Sequence, residues 1–368
     1  MSVSVLVAGG GTGGHLYPGV AVARELLARV PGSTVTFVGT AAGIEARVIP
    51  REGLTLDCIR SAGLKGKSVR ALLRGLLLLP LSAWDAWRVV SKRRPSVVIG
   101  VGGYSSGPVV ALAALRGVPT LLMEQNATPG LTNRLLARVV RAAAVTYDES
   151  LAMFGAKAFV AGNPVRPEFF SAEPGTPSDG RTRVLVFGGS QGAHAINVAM
   201  AEAAVALAAT APPLHVTHQT GERDHGMVRD AYEAAGLAAR VEPFLFEMHR
   251  EMRDAEVIVC RAGATTLAEL TAAGRAAILI PLPTATDDHQ RRNAEALARQ
   301  GAARIVEQRD LTPARLAEEV LALARDGAGR ERMAAAARRM ARPDAARVIV
   351  DRVLALAGHG GRTAGRAR

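Results

Sequence analysis

Aromatic side chains make up only 4% of this 368-residue chain. That is too few to line a single-stranded nucleic-acid channel with stacking platforms. The two cysteines, Cys58 and Cys260, stand far apart, each in an apolar run. They exclude a disulfide framework and a zinc site and fit a reducing cytoplasm. The longest apolar run, LLLLPL from Leu76, is bounded by Arg74, broken by Pro80 and too short to cross a bilayer. The first residues lack the basic head of an export signal, so no signal peptide is expected. No helix-turn-helix, zinc-finger or basic-zipper pattern occurs, and a D-x-D metal motif is absent.

Acidic residues are outnumbered. Lys and Arg total 45 against 33 Asp and Glu, a formal charge of +12, and nearly every basic residue is arginine. Such a balance fits nucleic acid or an anionic membrane surface as partner, and equally the codon bias of a GC-rich genome. With 49% hydrophobic and 21% charged residues the chain is globular, and its length accommodates two domains.

Short apolar runs (VSVLVA, TVTFVG, SVVIGV, PTLLM) alternate with Ala-rich amphipathic segments, the pattern of a parallel sheet covered on both faces. The pattern lapses over 161–183, rich in Pro, Gly and Ser, then restarts at RVLVFGGSQGAHAINVAMAEA. Val5-Leu6-Val7 aligns with Val184-Leu185-Val186, Gly9-Gly10 with Gly188-Gly189, Gly13 with Gly192 and His15 with His194. The expected fold class is therefore α/β: two doubly wound, Rossmann-like domains facing a central cleft. The expected boundaries are 1–163 and 164–342. A last helix over about 343–358, following Pro343, is expected to pack back on the first domain, and the tail 359–368 to be disordered.

The loop VLVAGGGTGGHLYPG contains G-x-G-x-x-G at Gly9, Gly11 and Gly14. A dinucleotide site also needs an acid at the end of the second strand, and TVTFVGT ends at Gly39-Thr40 without one. What survives is the physical content of the loop. Residues without Cβ let backbone N–H groups approach a bulky anion at a helix N-terminus. GGSQGA, with Ser190 as an added hydroxyl donor, and GVGGYSSGP over 100–108 repeat the device. Three such loops at strand ends point to phosphates or sugars.

GGGTGGHLYPG, GGYSSGP, EQNATPGLTN, GNPVR, GGSQGA, CRAGATTLAEL and DDHQRRNA stand in an order that resembles the MurG family of GT-B glycosyltransferases, over nearly the whole chain. The resemblance implies metal-independent, inverting transfer of N-acetylglucosamine from UDP-N-acetylglucosamine to the MurNAc 4-hydroxyl of lipid I. The product is lipid II for peptidoglycan, and the donor is held mainly by the C-terminal domain. It implies no cofactor and a peripheral place on the cytoplasmic face of the cell membrane.

The same resemblance implies the substrate-binding set. Thr12, Gly13, Gly14 and Asn126 belong to the first half, with Gly103, Tyr104, Ser105 and Ser106 as an acceptor-side loop. Arg166 at the junction implies a donor contact, and a guanidinium can pair bidentately with phosphate. Ser190 implies a diphosphate contact, and Leu245 a backbone contact to uracil. Ala264, Thr265, Thr266, Leu267 and Ala268 imply a diphosphate site in a helix's first turn. Glu269 implies ribose binding, and Gln290 a contact to the sugar. Met123 stands where the family usually has His, which removes a histidine relay there. Asp287 and Asp288 read as N-cap residues rather than metal ligands.

A sugar hydroxyl is a poor nucleophile near neutral pH, so a positioned base helps. His15 is the first candidate and Glu124 the second; a neutral His15 that only hydrogen-bonds the loop or sugar stays open. Lys65, Lys67, Arg70 and Arg74 mixed with Leu76–Leu79, Trp84 and Trp87 read as an interfacial helix for an anionic membrane, or as a core helix with solvated basic residues. Rival readings are another GT-B enzyme acting on a glycolipid, a UDP-sugar 2-epimerase and a non-catalytic nucleic-acid binder. The loops speak against the last, so no nucleic-acid partner is expected.

Overall fold

The computed structural model describes residues 2–61, 69–170, 180–189 and 192–363. The chain divides into two compact units, Met1–Val165 with Arg342–Arg368, and Arg166–Ala341.

Unit 1 is built on β1 (Ser4–Gly9), β2 (Thr34–Gly39), β3 (Thr55–Cys58), β4 (Val97–Gly102), β5 (Thr120–Glu124), β6 (Ala142–Val145) and β7 (Ala158–Val160). They form one parallel sheet in the order β3-β2-β1-β4-β5-β6-β7. Alternate residues of the central strands feed two cores. Val5, Val7, Ile99 and Val101 enter one, and Leu6, Ala8 and Val98 the other, so both faces are covered. Helices α1 (Gly13–Arg29), α2 (Glu45–Arg51), α3 (Val69–Arg93) and α4 (Ser106–Leu115) follow the first, second, third and fourth strands.

The last helix, Ala345–Thr363, runs on beyond the expected end near 358. It packs on unit 1 beside α1. Ile349, Val350 and Val353 are buried with Val5, Leu16 and Leu26, and Arg29 pairs with Asp351 at 2.7 Å. The tail expected to be disordered is thus helical through Thr363, because the helix simply continues past Gly358; residues 364–368 lie outside the described residues.

Unit 2 repeats the plan with β8 (Thr182–Phe187), β9 (Leu214–Gln219), β10 (Ala239–Glu242), β11 (Val257–Cys260), β12 (Ala276–Leu279) and β13 (Arg304–Ile305), all parallel, in the order β10-β9-β8-β11-β12-β13. In each sheet the chain winds outward from its first strand, then returns to that strand's other side. The winding therefore reverses between β1 and β4 in unit 1 and between β8 and β11 in unit 2. Loops leaving the carboxyl ends of such neighbours diverge and leave a crevice, the usual ligand position in doubly wound sheets.

Candidate functional site

At the switch point of unit 1 two glycine loops interlock. Gly9, Gly11, Gly102 and Gly103 all have positive φ. A Cβ on Gly9 would lie 2.4 Å from the Gly102 carbonyl, and one on Gly103 2.4 Å from that of Gly10. Only glycine permits this approach. Gly10 N–H reaches Gly102 O at 3.4 Å, and the Tyr104 ring lies against Gly11.

The acid missing from the end of β2 arrives from α2 instead. Glu45 is fully buried and accepts from Gly11 N (2.9 Å), Thr40 N (2.8 Å) and Thr40 Oγ1 (3.0 Å). It fills the space beside Gly10, Gly39 and Gly43 and is spent on the loop's own backbone, not offered to a ribose. The sequence reading passed over Glu45 because nothing in its spacing ties it to the glycines.

His15 sits in the first turn of α1, its ring against Gly102 and its Nδ1 3.1 Å from Thr12 Oγ1. Thr12 stands at the N-cap without a capping hydrogen bond and turns its hydroxyl to His15 instead. Gly13 and Gly14 open that turn. Ser105 and Ser106 are buried, and Ser106 Oγ donates to Gly103 O at 3.0 Å, so Ser106 shapes the loop.

Glu124 is buried at the end of β5. Its carboxylate accepts from Asn126 N (3.0 Å), Asn126 Nδ2 (3.2 Å), Gly130 N (2.9 Å) and Asn133 Nδ2 (2.9 Å). Burial raises its pKa and these donors oppose the rise. The arrangement is that of a clamp on residues 126–133 that also aims Asn126. Met123 points into the core of unit 1.

At the switch point of unit 2, β8 and β11 lie side by side, Phe187 opposite Cys260. The helices His194–Glu202 and Ala264–Ala273 begin just beyond them. Their N-cap residues, Ala193 and Gly263, make no side-chain cap, so neither first turn has its amides filled by the cap residue. Thr265 and Thr266 lie in the first turn of the second helix; Ala268 is part-buried, whereas Leu267 is buried and faces the core. Ser190 lies outside the described residues.

Glu269 is part-buried one turn further along. Burial pushes its carboxyl up to about 7, against the pull of the Arg166 cation. Arg166 is exposed and lies over the Phe169 ring, 5.2 Å from its centroid. Gln290 is fixed by its carbonyl, which accepts from Ala262 N (3.2 Å) and Leu282 N (3.0 Å), leaving its amide NH2 to donate. Leu245 N–H is already held by Gln219 Oε1 at 2.8 Å, so its carbonyl is the backbone group left for a base.

Gln219 Nε2 also donates to Gly189 O at 2.8 Å, tying the second glycine loop to residue 245. Buried Arg261 donates to Ile280 O (3.0 Å), Pro281 O (3.3 Å) and Gln308 Oε1 (2.7 Å). Neither residue carries a motif signal beyond being a polar side chain next to an apolar strand.

Asp287 and Asp288 both have positive φ, 55° and 56°. The capping expectation is corrected here: Asp288 stands at the N-cap of His289–Arg299, but its carboxylate pairs with Arg291 at 2.5 Å and makes no cap. Its left-handed backbone turns the carboxylate away from the first-turn amides.

Family models of the glycosyltransferase family 28 N-terminal and C-terminal domains match residues 5–145 and 183–349. A UDP-N-acetylglucosamine--N-acetylmuramyl-(pentapeptide) pyrophosphoryl-undecaprenol N-acetylglucosamine transferase of Anaeromyxobacter sp. (strain K) is 47% identical over 349 residues, 94% of this chain and 91% of its own. The chain belongs to glycosyltransferase family 28. A transferase of the same name from Pelobacter propionicus is 46% identical and covers 96% of this family 28 chain and 99% of its own length. The crystal structure of Acinetobacter baumannii MurG superposes with a TM-score of 0.79 at 32% identity, covering 96% of this chain and 99% of that one. The paired Rossmann-like plan of the GT-B glycosyltransferases is therefore the fold of this family 28 member.

Proposed function

We propose that this enzyme transfers N-acetylglucosamine from UDP-N-acetylglucosamine to the MurNAc 4-hydroxyl of lipid I, with inversion at the anomeric carbon. The observation that carries the reading is the switch point of unit 2. A helix N-terminus opening at Gly263, Glu269 one turn on, Arg166 acting electrostatically on Glu269, and the locked Gln290 together suit a nucleotide diphosphate, a ribose and a sugar.

In this mechanism the Leu245 carbonyl accepts from the uracil, the Glu269 carboxylate accepts from the ribose hydroxyls, and Gln290 donates to the sugar. Arg166, Ser190 and the first-turn amides at 264–266 receive the charge that builds on UDP as the glycosidic bond breaks. His15 takes the proton of the attacking hydroxyl, with Thr12 holding its Nδ1 side. Glu124 keeps Asn126 in place.

The acceptor's polyprenyl chain is embedded in a membrane, and unit 1 offers a surface for it. On α3, Leu79, Leu81, Trp84 and Trp87 are exposed, with the two indoles stacked at 5.2 Å. Arg88 and Lys92 are exposed beside them, and Leu115 at the end of the adjacent α4 is 81% exposed. The Arg60–Asp85 and Arg93–Asp57 pairs tie α3 to β3 and the residues just after it. Lys65 and Lys67 lie outside the described residues, as do the side chains of Arg70, Arg74 and Leu76. Among the described residues no helix is long and apolar enough to cross a membrane. The enzyme then works as a peripheral protein on the cytoplasmic face, drawn to anionic lipid.

Transfer of labelled N-acetylglucosamine to lipid I, set against diacylglycerol as acceptor, tests the reading. Product with lipid I alone is expected; product with diacylglycerol alone would replace it with another glycolipid synthase.

A further inference from the structure

Gln219 ends β9, opposite Phe187 on β8 and Glu242 on β10, and is 2% exposed. Its carboxamide is spent on main chain at both ends. Oε1 accepts from Leu245 N and Nε2 donates to Gly189 O, each at 2.8 Å. The amide cannot be turned over, because the N–H needs an acceptor and the carbonyl needs a donor. One partner follows Gln219 by 26 residues and the other precedes it by 30.

Both partners are held from other sides as well. Gly189 O also accepts from Gly192 N at 3.0 Å, and a Cβ on Gly192 would lie 1.9 Å from Thr220 O, just past β9. Thr220 N and Gly221 N donate to Glu242 O and Pro243 O at 3.0 and 3.1 Å, which carries the pairing on towards Leu245. The Leu245 side chain is buried, whereas Phe244 and Phe246 on either side of it in sequence are exposed. What residue 245 can offer a ligand is therefore main chain. With its N–H taken by Gln219, that main chain offers an acceptor only.

The consequence is chemical. Uracil carries a hydrogen on N3, and cytosine carries a lone pair there. A carbonyl accepts from the first and repels the second, leaving two acceptors face to face. A free N–H beside that carbonyl would give cytosine N3 a hydrogen bond, and the distinction would be lost. Occupying the N–H removes the group that the wrong base would use.

We propose that Gln219 is the positioning residue that restricts the donor site to a pyrimidine with a hydrogen on N3. It engages the Leu245 amide, so the base meets only the carbonyl, and its other end ties the glycine loop at Gly189 to that carbonyl's residue. This rests on the donor-binding reading of unit 2, in which the Leu245 carbonyl meets the base.

Calorimetry of the full-length enzyme with UDP and with CDP tests it. The two nucleotides differ only in the base, so the ratio of their affinities does not respond to a general loosening of the site. The parent is expected to prefer UDP by about tenfold or more. Gln219→Met keeps the length of the side chain but gives the Leu245 amide no strong acceptor, and should bring the ratio close to one. Gln219→Glu still accepts from that amide but brings a carboxylate to Gly189 O. It should keep the parent's ratio while both nucleotides bind about tenfold more weakly. The parent's ratio retained in Gln219→Met, or lost in Gln219→Glu, overturns the proposal. Where Gln219→Met does not fold, Gln219→Glu alone decides. A parent that binds UDP and CDP equally overturns the proposal and leaves the donor site standing; a parent that binds neither overturns both.

Discussion

Glu45 Oε2 accepts the amide hydrogen of Gly11 at 2.9 Å, so an α2 side chain holds the first glycine loop in shape. Removing it strands the buried amide of Thr40 and frees Gly11. Glu45→Ala is expected to lower stability by about 2–4 kcal/mol, read as the midpoint of urea unfolding. Glu45→Gln keeps one acceptor oxygen and should lose less.

His15 touches both interlocked loops and is the base of the proposed reaction. His15→Ala is expected to lower kcat by about 10²–10⁴-fold while the donor KM stays within a few-fold. A kcat close to the parent's would sink the base assignment and leave the imidazole a hydrogen-bonding role. Steady-state kinetics with saturating lipid I make the distinction.

Burial sets the Glu269 carboxyl near 7, and the sign of its effect follows. Below that pH the group is protonated and accepts poorly from two ribose hydroxyls; above it the carboxylate accepts from both. UDP and uridine affinity should therefore rise as pH increases through about 7. Glu269→Gln should bind both weakly at all pH values. Titration calorimetry at several pH values reads this slope, and a flat parent profile would remove Glu269 from the ribose site.

Trp84 and Trp87 stack at 5.2 Å on the exposed side of α3. The double change to alanine is expected to reduce sedimentation with anionic vesicles several-fold while leaving UDP affinity unchanged. Equal loss on neutral vesicles would assign the contribution to apolar burial alone, with no part for Arg88 and Lys92.

Ile349 is fully buried in the core of unit 1. Ile349→Ala is expected to cost about 2–5 kcal/mol, measured by urea unfolding.

Much of this was readable in advance because it depends on local pattern. The apolar runs VSVLVA, TVTFVG, SVVIGV and PTLLM became β1, β2, β4 and β5. The repeat of Val5–Gly10 at Val184–Gly189 became two sheets wound in the same order. Peripheral strands such as β3, β10 and β13 are short and mixed in polarity, and their register comes from neighbours rather than their own pattern.

Glu45, Gln219 and Arg261 escaped notice because each acts on a segment distant in sequence or pattern. Glu45 is 34 residues from Gly11, and Gln219 is 30 from Gly189. Residue type and spacing located where glycine loops would lead into helix N-termini. They did not reveal which carboxylates would be consumed inside the fold, as Glu124 is by residues 126–133.

The helix Ala345–Thr363 closes a core whose other members come from residues 3–161. On a ribosome, the contiguous segment Arg166–Ala341 has all of its own strands before that helix emerges. The half that is made first is therefore the half finished last. Until that helix has left the ribosome, an oily flank around Val5, Leu16 and Leu26 stays uncovered, so a premature stop codon between unit 2 and Ile349 should yield polypeptides that retain a sound second unit but are caught by chaperones and proteases through the first.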